Sequence, residues 1–171
     1  MANVWRIHLL KDLEDSLNYG EYCLRNNIAA MGWILDKYNA DIQAGKIKIE
    51  SYSDYAKYAE KCHDSFSDVR RLAEEIKPGD FIWTHVNGKC YLAKVSADSH
   101  YRYNFSDEAI KYRACNELTD IRWKLVGERK NMDKRLLNKM EQGQTLRRMV
   151  AENNPELSYW LSYSQKIYDR V

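Results

Sequence analysis

Val4-Trp5-Arg6-Ile7-His8-Leu9 alternates apolar and polar side chains with a β-branched bias, the period of a first, half-buried strand on which Val4, Ile7 or Trp5 compete for the inner face. Asp12 to Ser16 reads as a polar connector. From Tyr19 to Ala30 the apolar positions recur at helical spacing, with Tyr22, Cys23, Asn26 and Ala30 on one side, and the pattern stops at Gly32. It predicts the first helix. Trp33 follows that glycine directly, where a helix ending lets the chain turn sharply and point the next side chain away from the helix axis. Residues 36–52 have no clear period. Ser53 and Ser67 are spaced to cap two short helices, Asp54–Lys61 and Asp68–Glu75, each with an acidic residue in the first turn where the helix dipole favours it.

Lys77-Pro78-Gly79-Asp80 cannot continue a helix, and Phe81–Val86 after it is rich in strand formers. Asn87-Gly88 is a strong hairpin signal and returns the chain into Lys89–Val95. Tyr101–Phe105, Tyr112–Leu118 and Ile121–Val126 read as further strands or edge segments, separated by the polar Ser106-Asp107-Glu108. Asp133–Gln142, Thr145–Asn153 and Pro155–Arg170 read as helices, punctuated by Gly143 and Pro155. The order is strand, helices, a run of about four strands, then helices. Without alternating strand–helix units, it predicts an α+β fold with a small curved or barrel-like sheet and helices at its edge, rather than a parallel α/β sheet.

The 171 residues suffice for one soluble domain. The longest apolar stretch, Ile28–Leu35, is far shorter than the roughly 20 residues of a bilayer crossing, and the amino end lacks the basic-then-apolar look of a secretion signal, so the chain is expected in the cytoplasm and off the membrane. Cys23, Cys62, Cys90 and Cys115 are scattered, as reduced packing thiols are. The net charge of +2 hides an asymmetry: residues 121–150 hold nine Lys and Arg against three Asp and Glu. The 13 Tyr and 5 Trp against 3 Phe mean that most large rings carry a polar handle and can sit at edges as well as in cores.

The familiar catalytic patterns are missing: no glycine-rich phosphate loop, no Gly-x-Ser-x-Gly elbow and no His-Glu-x-x-His. No catalytic residues are assigned, no cofactor is expected, and His85, His100, Cys90 and Cys115 lack the spacing of a closed zinc site, so no metal is expected either. What remains is a binding constellation. Tyr101-Arg102-Tyr103 sets two rings on one side of an extended segment and a guanidinium on the other, an arrangement that can sandwich a base and meet a phosphate, though a Tyr-x-Tyr strand alone is commonly a packing ladder. Trp33 and Trp83 can likewise be core pieces, and a tryptophan on a loop is the harder of the two to dismiss.

Trp5-Arg6-Ile7, Ala30-Met31-Gly32-Trp33, Glu74–Ile82 with its Lys-Pro-Gly-Asp, Tyr91–Val95, Tyr101-Arg102-Tyr103 and Ile121-Arg122-Trp123 resemble, in order and spacing, the amino-terminal domain of Mrr-like restriction proteins, which is similar to the PUA-like group containing EVE and YTH domains. The resemblance spans roughly residues 4–148. It implies a PUA-like/EVE-like curved β-barrel with flanking helices over residues 1–150, followed by a helical tail over 151–171. It also implies a non-enzymatic reader of a flipped base, plain or modified, in DNA or alternatively RNA, in a restriction or antiviral defence setting, the alternative being that the same barrel serves as a protein–protein interaction module of a defence or phage protein. On that basis Trp33 is the stacking wall, Tyr101 or Tyr103 the opposing side, Thr84 and His85 edge readers, and Arg102, Arg122, Lys124, Arg129 and Lys130 phosphate contacts. Cutting would come from a separate nuclease or effector subunit, because the matched part leads only into the Tyr-rich tail. The tail's apolar face, Leu157, Trp160, Leu161 and Ile167, fits either a cover for the domain's own sheet or a seam with another protein.

Overall fold

The computed structural model describes residues 1–9, 18–143 and 145–171, and the connector expected over Asp12–Ser16 lies outside them. In chain order the elements are β1 (Val4–Ile7), α1 (Tyr19–Arg25), β2 (Ala29–Met31), α2 (Asn39–Gln43), α3 (Tyr52–Ala59), α4 (Ser67–Arg70), β3 (Phe81–Val86), β4 (Lys89–Lys94), β5 (Tyr101–Tyr103), α5 (Asp107–Lys111), β6 (Asn116–Leu118), β7 (Lys124–Glu128), α6 (Lys134–Glu141), β8 (Leu146–Arg148) and α7 (Leu157–Tyr168).

Strand β1 is buried along its whole length, on both faces. It runs parallel to β3 and antiparallel to β8 inside a five-stranded sheet ordered β7-β4-β3-β1-β8. The two-residue alternation then sorts side chains between two cores. Trp5 and Ile7 join Ile82, Val86, Ala93 and Leu146 on one face, under α1, α3 and the second sheet. Val4 joins Phe81, Trp83, Cys90 and Leu92 on the other, under Leu136 and Met140 of α6 and Leu157 and Trp160 of α7. The Trp83 indole N–H donates to Ser164 Oγ of α7 at 2.9 Å, so the tail's apolar face is used within the chain.

The fold is mixed α+β, but its strands do not close into a barrel. β2, β6 and β5 make a separate antiparallel three-stranded sheet, and no ladder joins it to the larger one among the described residues. Each of its strands is three residues long, too short to curve around and close on β7 or β8.

Several elements differ from the sequence expectation. The first helix ends at Arg25, because Asn27 takes a left-handed backbone, which asparagine tolerates, and turns Ala29–Met31 into a strand against Leu118–Asn116. Residues 145–153 are not helical: Leu146–Arg148 covers the open edge of β1. Asp107–Lys111 is a helix capped by Ser106, and the strand expected from Tyr112 shortens to Asn116–Leu118 after Arg113 (φ 51°). The strand expected over Ile121–Val126 falls two to three residues later, on Lys124–Glu128. Ser51, not Ser53, caps α3, and its partner Asp54 reaches back to the Glu50 N–H at 3.1 Å. Ser67 opens α4 rather than capping it. Among the described residues no helix is long and apolar enough to cross a membrane.

Asp80 ties this framework together. Its buried carboxylate accepts from the Asn3 N–H at 2.8 Å, the Trp5 indole N–H at 2.7 Å and the Lys77 N–H at 3.0 Å, locking the start of β3 to β1. Replacing it strands two buried donors and a partly buried one. Asp80→Ala is therefore expected to lower the free energy of unfolding by about 3 kcal/mol or more, measured by urea denaturation, with Asp80→Asn milder because one amide oxygen still accepts.

Candidate nucleic-acid interface

As β2 ends, residues 32–35 leave the sheet without entering another element, so their buried peptide groups need partners from elsewhere. Side chains from four places supply them. Asn116 Nδ2 of β6 donates to the Gly32 carbonyl at 2.5 Å and lies 3.4 Å from that of Trp33. The Tyr55 hydroxyl of α3 donates to the Trp33 carbonyl at 2.7 Å. His63 Nε2, between α3 and α4, donates to the Ile34 carbonyl at 2.9 Å. The Leu35 N–H donates to the Tyr103 hydroxyl of β5 at 2.9 Å, which itself donates to Asn39 Oδ1 at 2.9 Å. Burial pushes the Tyr55 and Tyr103 phenols well above their ordinary range, so both remain protonated at any working pH.

Held this way, Trp33 sits at φ 52°, a left-handed conformation costly for a bulky residue. Its indole is partly exposed and lines a cavity of about 310 Å³ with Gly32, His63, Arg113 and Thr145. Arg113 also has a left-handed backbone, and its guanidinium is 3.3 Å from the Asp36 carboxylate in an exposed pair. The cavity thus offers a planar ring face, an imidazole, a guanidinium and a hydroxyl.

The other expected pocket residues lie elsewhere. Tyr103 is 3% exposed, so no face of its ring is open. Tyr101 is half-buried, its hydroxyl donating to Asn116 Oδ1 at 2.7 Å and its ring edge-on to Tyr52 at 5.8 Å. Both tyrosines work behind the turn, since every second residue of β5 faces the core that α3 covers. Thr84 is fully buried and donates to the Ile7 carbonyl at 2.8 Å. His85 faces the α6 side of the large sheet, edge-on to His8 at 6.0 Å. None of these four lines the Trp33 cavity.

The expected phosphate contacts divide in the same way. Arg102 is bound to the buried Glu117 carboxylate, its Nε at 2.7 Å. Lys124 donates to the Tyr168 carbonyl at 2.9 Å and lies 3.9 Å over that ring, fastening the end of α7. Arg129 pairs with Glu141. Arg129 and Lys130 line a second cavity, of about 430 Å³, with Gly88, Glu128, Leu137 and Glu141. Arg122 and Lys130 are exposed. The sequence reading missed His63, Arg113 and Thr145. They come from three separate segments, and no local pattern singles any of them out.

A family model described as a domain of unknown function, DUF8426, matches residues 5–150, from β1 through β8, and leaves α7 outside. No curated protein and no solved structure matches.

On the α6 side, burial pushes the His8 imidazole down from 6.5 to about 4, with the neighbouring Arg6 guanidinium and His85 acting in the same direction. Burial also lowers His85, helped by Arg129 and Arg6 and opposed by Glu141. The unfolded chain therefore takes up protons that the folded one refuses. This stability is complete above pH 6.5 and is lost as the pH falls toward 4. The melting temperature is expected to fall already between about pH 6.5 and 5, where most carboxylates remain ionised, and His8→Gln is expected to flatten that part of the profile.

Proposed function

The chain belongs to the DUF8426 family, and we propose that it is a non-enzymatic nucleic-acid reader whose Trp33 cavity receives one unstacked base. The observation that carries this reading is the strained, four-way-held tryptophan facing a cavity beside an arginine. Strain of this kind is kept where surrounding structure enforces it, and it concentrates at binding sites. The cavity's 310 Å³ lies at the lower end of the roughly 300–1,000 Å³ typical of small-ligand sites, a size suited to a single nucleobase.

Extruding a base costs a few kcal/mol, and stacking it on an aromatic face returns about 1–3 kcal/mol, so edge contacts and phosphate contacts must supply the rest. Arg113 lines the cavity and Arg122 and Lys130 are exposed on the surface, cations suited to those roles. We read the arrangement as a PUA-like/EVE-like domain whose two sheets correspond to an opened barrel, acting on DNA with a modified base in a restriction or defence setting. A separate nuclease or effector would do any cutting. The parallel pairing of β1 with the strand that follows Lys-Pro-Gly-Asp supports that reading.

The test is a binding panel of short duplexes and single strands, in DNA and RNA, with plain, methylated and hydroxymethylated bases. The wild-type chain is expected to prefer one base, and Trp33→Ala to erase that preference while leaving salt-sensitive background binding. Arg122→Ala with Lys130→Ala is expected to weaken all sequences alike and to reduce the slope of log K against log salt by about 2. Equal binding of every base by the wild type at moderate salt refutes the reading.

A further inference from the structure

We propose that His63 is the edge reader of this cavity, with its Nδ1 accepting a hydrogen bond from an amino group on the bound ring. The ligand class is then an amino-bearing heteroaromatic base, adenine-like or cytosine-like, with at least one N–H left on the amine. The inference rests on the base-binding reading above and adds to it the side chain that selects and the chemistry it selects for.

A carbonyl oxygen can only accept, so in the 2.9 Å contact between His63 Nε2 and the Ile34 carbonyl the proton sits on Nε2. In a neutral imidazole the other nitrogen is then an acceptor, with its lone pair in the ring plane. His63 Nδ1 has no hydrogen-bond partner among the described residues, and it is not one of their sealed, unsatisfied buried atoms. The ring is partly exposed and lines the Trp33 cavity. On this proposal the unpartnered Nδ1 is the acceptor that the ring contributes to the cavity wall.

The rest of the lining makes this acceptor decisive. Arg113 can only donate, the Thr145 hydroxyl can do either, and the Trp33 indole supplies a face. The carbonyls of Gly32 and Trp33 already accept from Asn116 and Tyr55. His63 is thus the lining side chain dedicated to accepting. A histidine free to turn would present either nitrogen and read nothing. This one is anchored through Nε2 to the turn that carries Trp33, so tautomer and ring orientation are fixed together. A ring that places an amine opposite Nδ1 gains a hydrogen bond. One that places a lone pair or a bare C–H there leaves the acceptor desolvated and unpaired, the situation in which polar sites discriminate most strongly.

The test uses the full chain and short duplexes with one mismatched central adenine, N6-methyladenine, N6,N6-dimethyladenine or unsubstituted purine. The first two keep an amino N–H and the last two do not, while purine separates loss of the donor from added bulk. Wild type is expected to bind the first pair about tenfold more tightly than the second. His63→Phe, which keeps a ring of similar shape, is expected to bring that ratio to one. His63→Gln, which retains both an amide donor for Ile34 and a carbonyl acceptor, is expected to keep most of it. A wild-type ratio of one, with mismatched duplexes still bound more tightly than a fully paired one, overturns the His63 assignment and leaves the base-binding reading standing. A ratio unchanged in His63→Phe also overturns the assignment. If wild type binds all four no better than the paired duplex, the base-binding reading fails and this proposal with it. The analogue series on the wild-type chain is decisive without any substitution, so a variant that fails to melt cooperatively leaves no gap.

Discussion

Residues 32–35 have to cross the interior with no helix or strand to satisfy their peptide groups, and everything proposed for this protein follows from how that is solved. Each unmet buried group would cost about 1–3 kcal/mol, and the left-handed backbone of Trp33 adds about 1–2 kcal/mol. Asn116, Tyr55, His63 and Tyr103 meet those groups from four segments. Four bonds, each worth about 0.5–1.5 kcal/mol net, match or exceed the strain of a single residue, so the conformation persists. The network is also reciprocal, because Asn116 is oriented by the Tyr101 hydroxyl and Tyr103 by Asn39. Moving any one member loosens several.

This arrangement explains what could be read from the sequence and what could not. The period-2 pattern of Val4–Leu9, the Lys-Pro-Gly-Asp turn and the Asn-Gly hairpin are local signals, and the large sheet follows from them. The glycine before Trp33 closes β2 rather than a helix, and the left-handed residue there is Trp33 itself. Asn27 had already ended the helix, and Ala29–Met31 became a strand only because β6 was there to pair with it. Alanine-rich residues with no strand preference give no warning of that. Tyr101 and Tyr103 share a face, as their spacing requires, but spacing cannot say whether that face meets a ligand or a core. The answer depends on α3, whose Tyr55 lies 5.5 Å from the Tyr103 ring and closes that side. His63, Arg113 and Thr145 meet only through tertiary packing, which no local pattern encodes.

Charge was legible in amount but not in availability. The basic excess over residues 121–150 is real, yet much of it is used inside the chain. Arg148 lies 5.0 Å over the Trp5 ring and pairs with Glu75 and Glu152, Lys124 fastens α7, and Arg129 pairs with Glu141. Long cationic side chains do this readily, since their stems pack on apolar surface while their heads find partners. A linear tally therefore overstates the potential that a polyanion meets. What is left is sparse.

A cavity wall can be stabilised by packing the wall residue itself or by fixing the backbone beneath it, and the two have different consequences. Here the bonds to residues 32–35 fall on main-chain carbonyls and an N–H, so the backbone beneath Trp33 is held by hydrogen bonds that its indole does not make, while the ring itself packs partly against the core. The side chain is left partly exposed, and its position is set before any ligand arrives. Binding then avoids the cost of ordering a loop, which for a rotamer-rich side chain alone is about 0.5–1.5 kcal/mol. It also follows that the backbone bonds survive a change of side chain at position 33, whereas a change at Tyr55, Asn116 or Tyr103 removes one of them. The residues that hold the segment and the residue that presents a ring are therefore different, and His63 takes part in both, bonding the Ile34 carbonyl through Nε2 while lining the cavity.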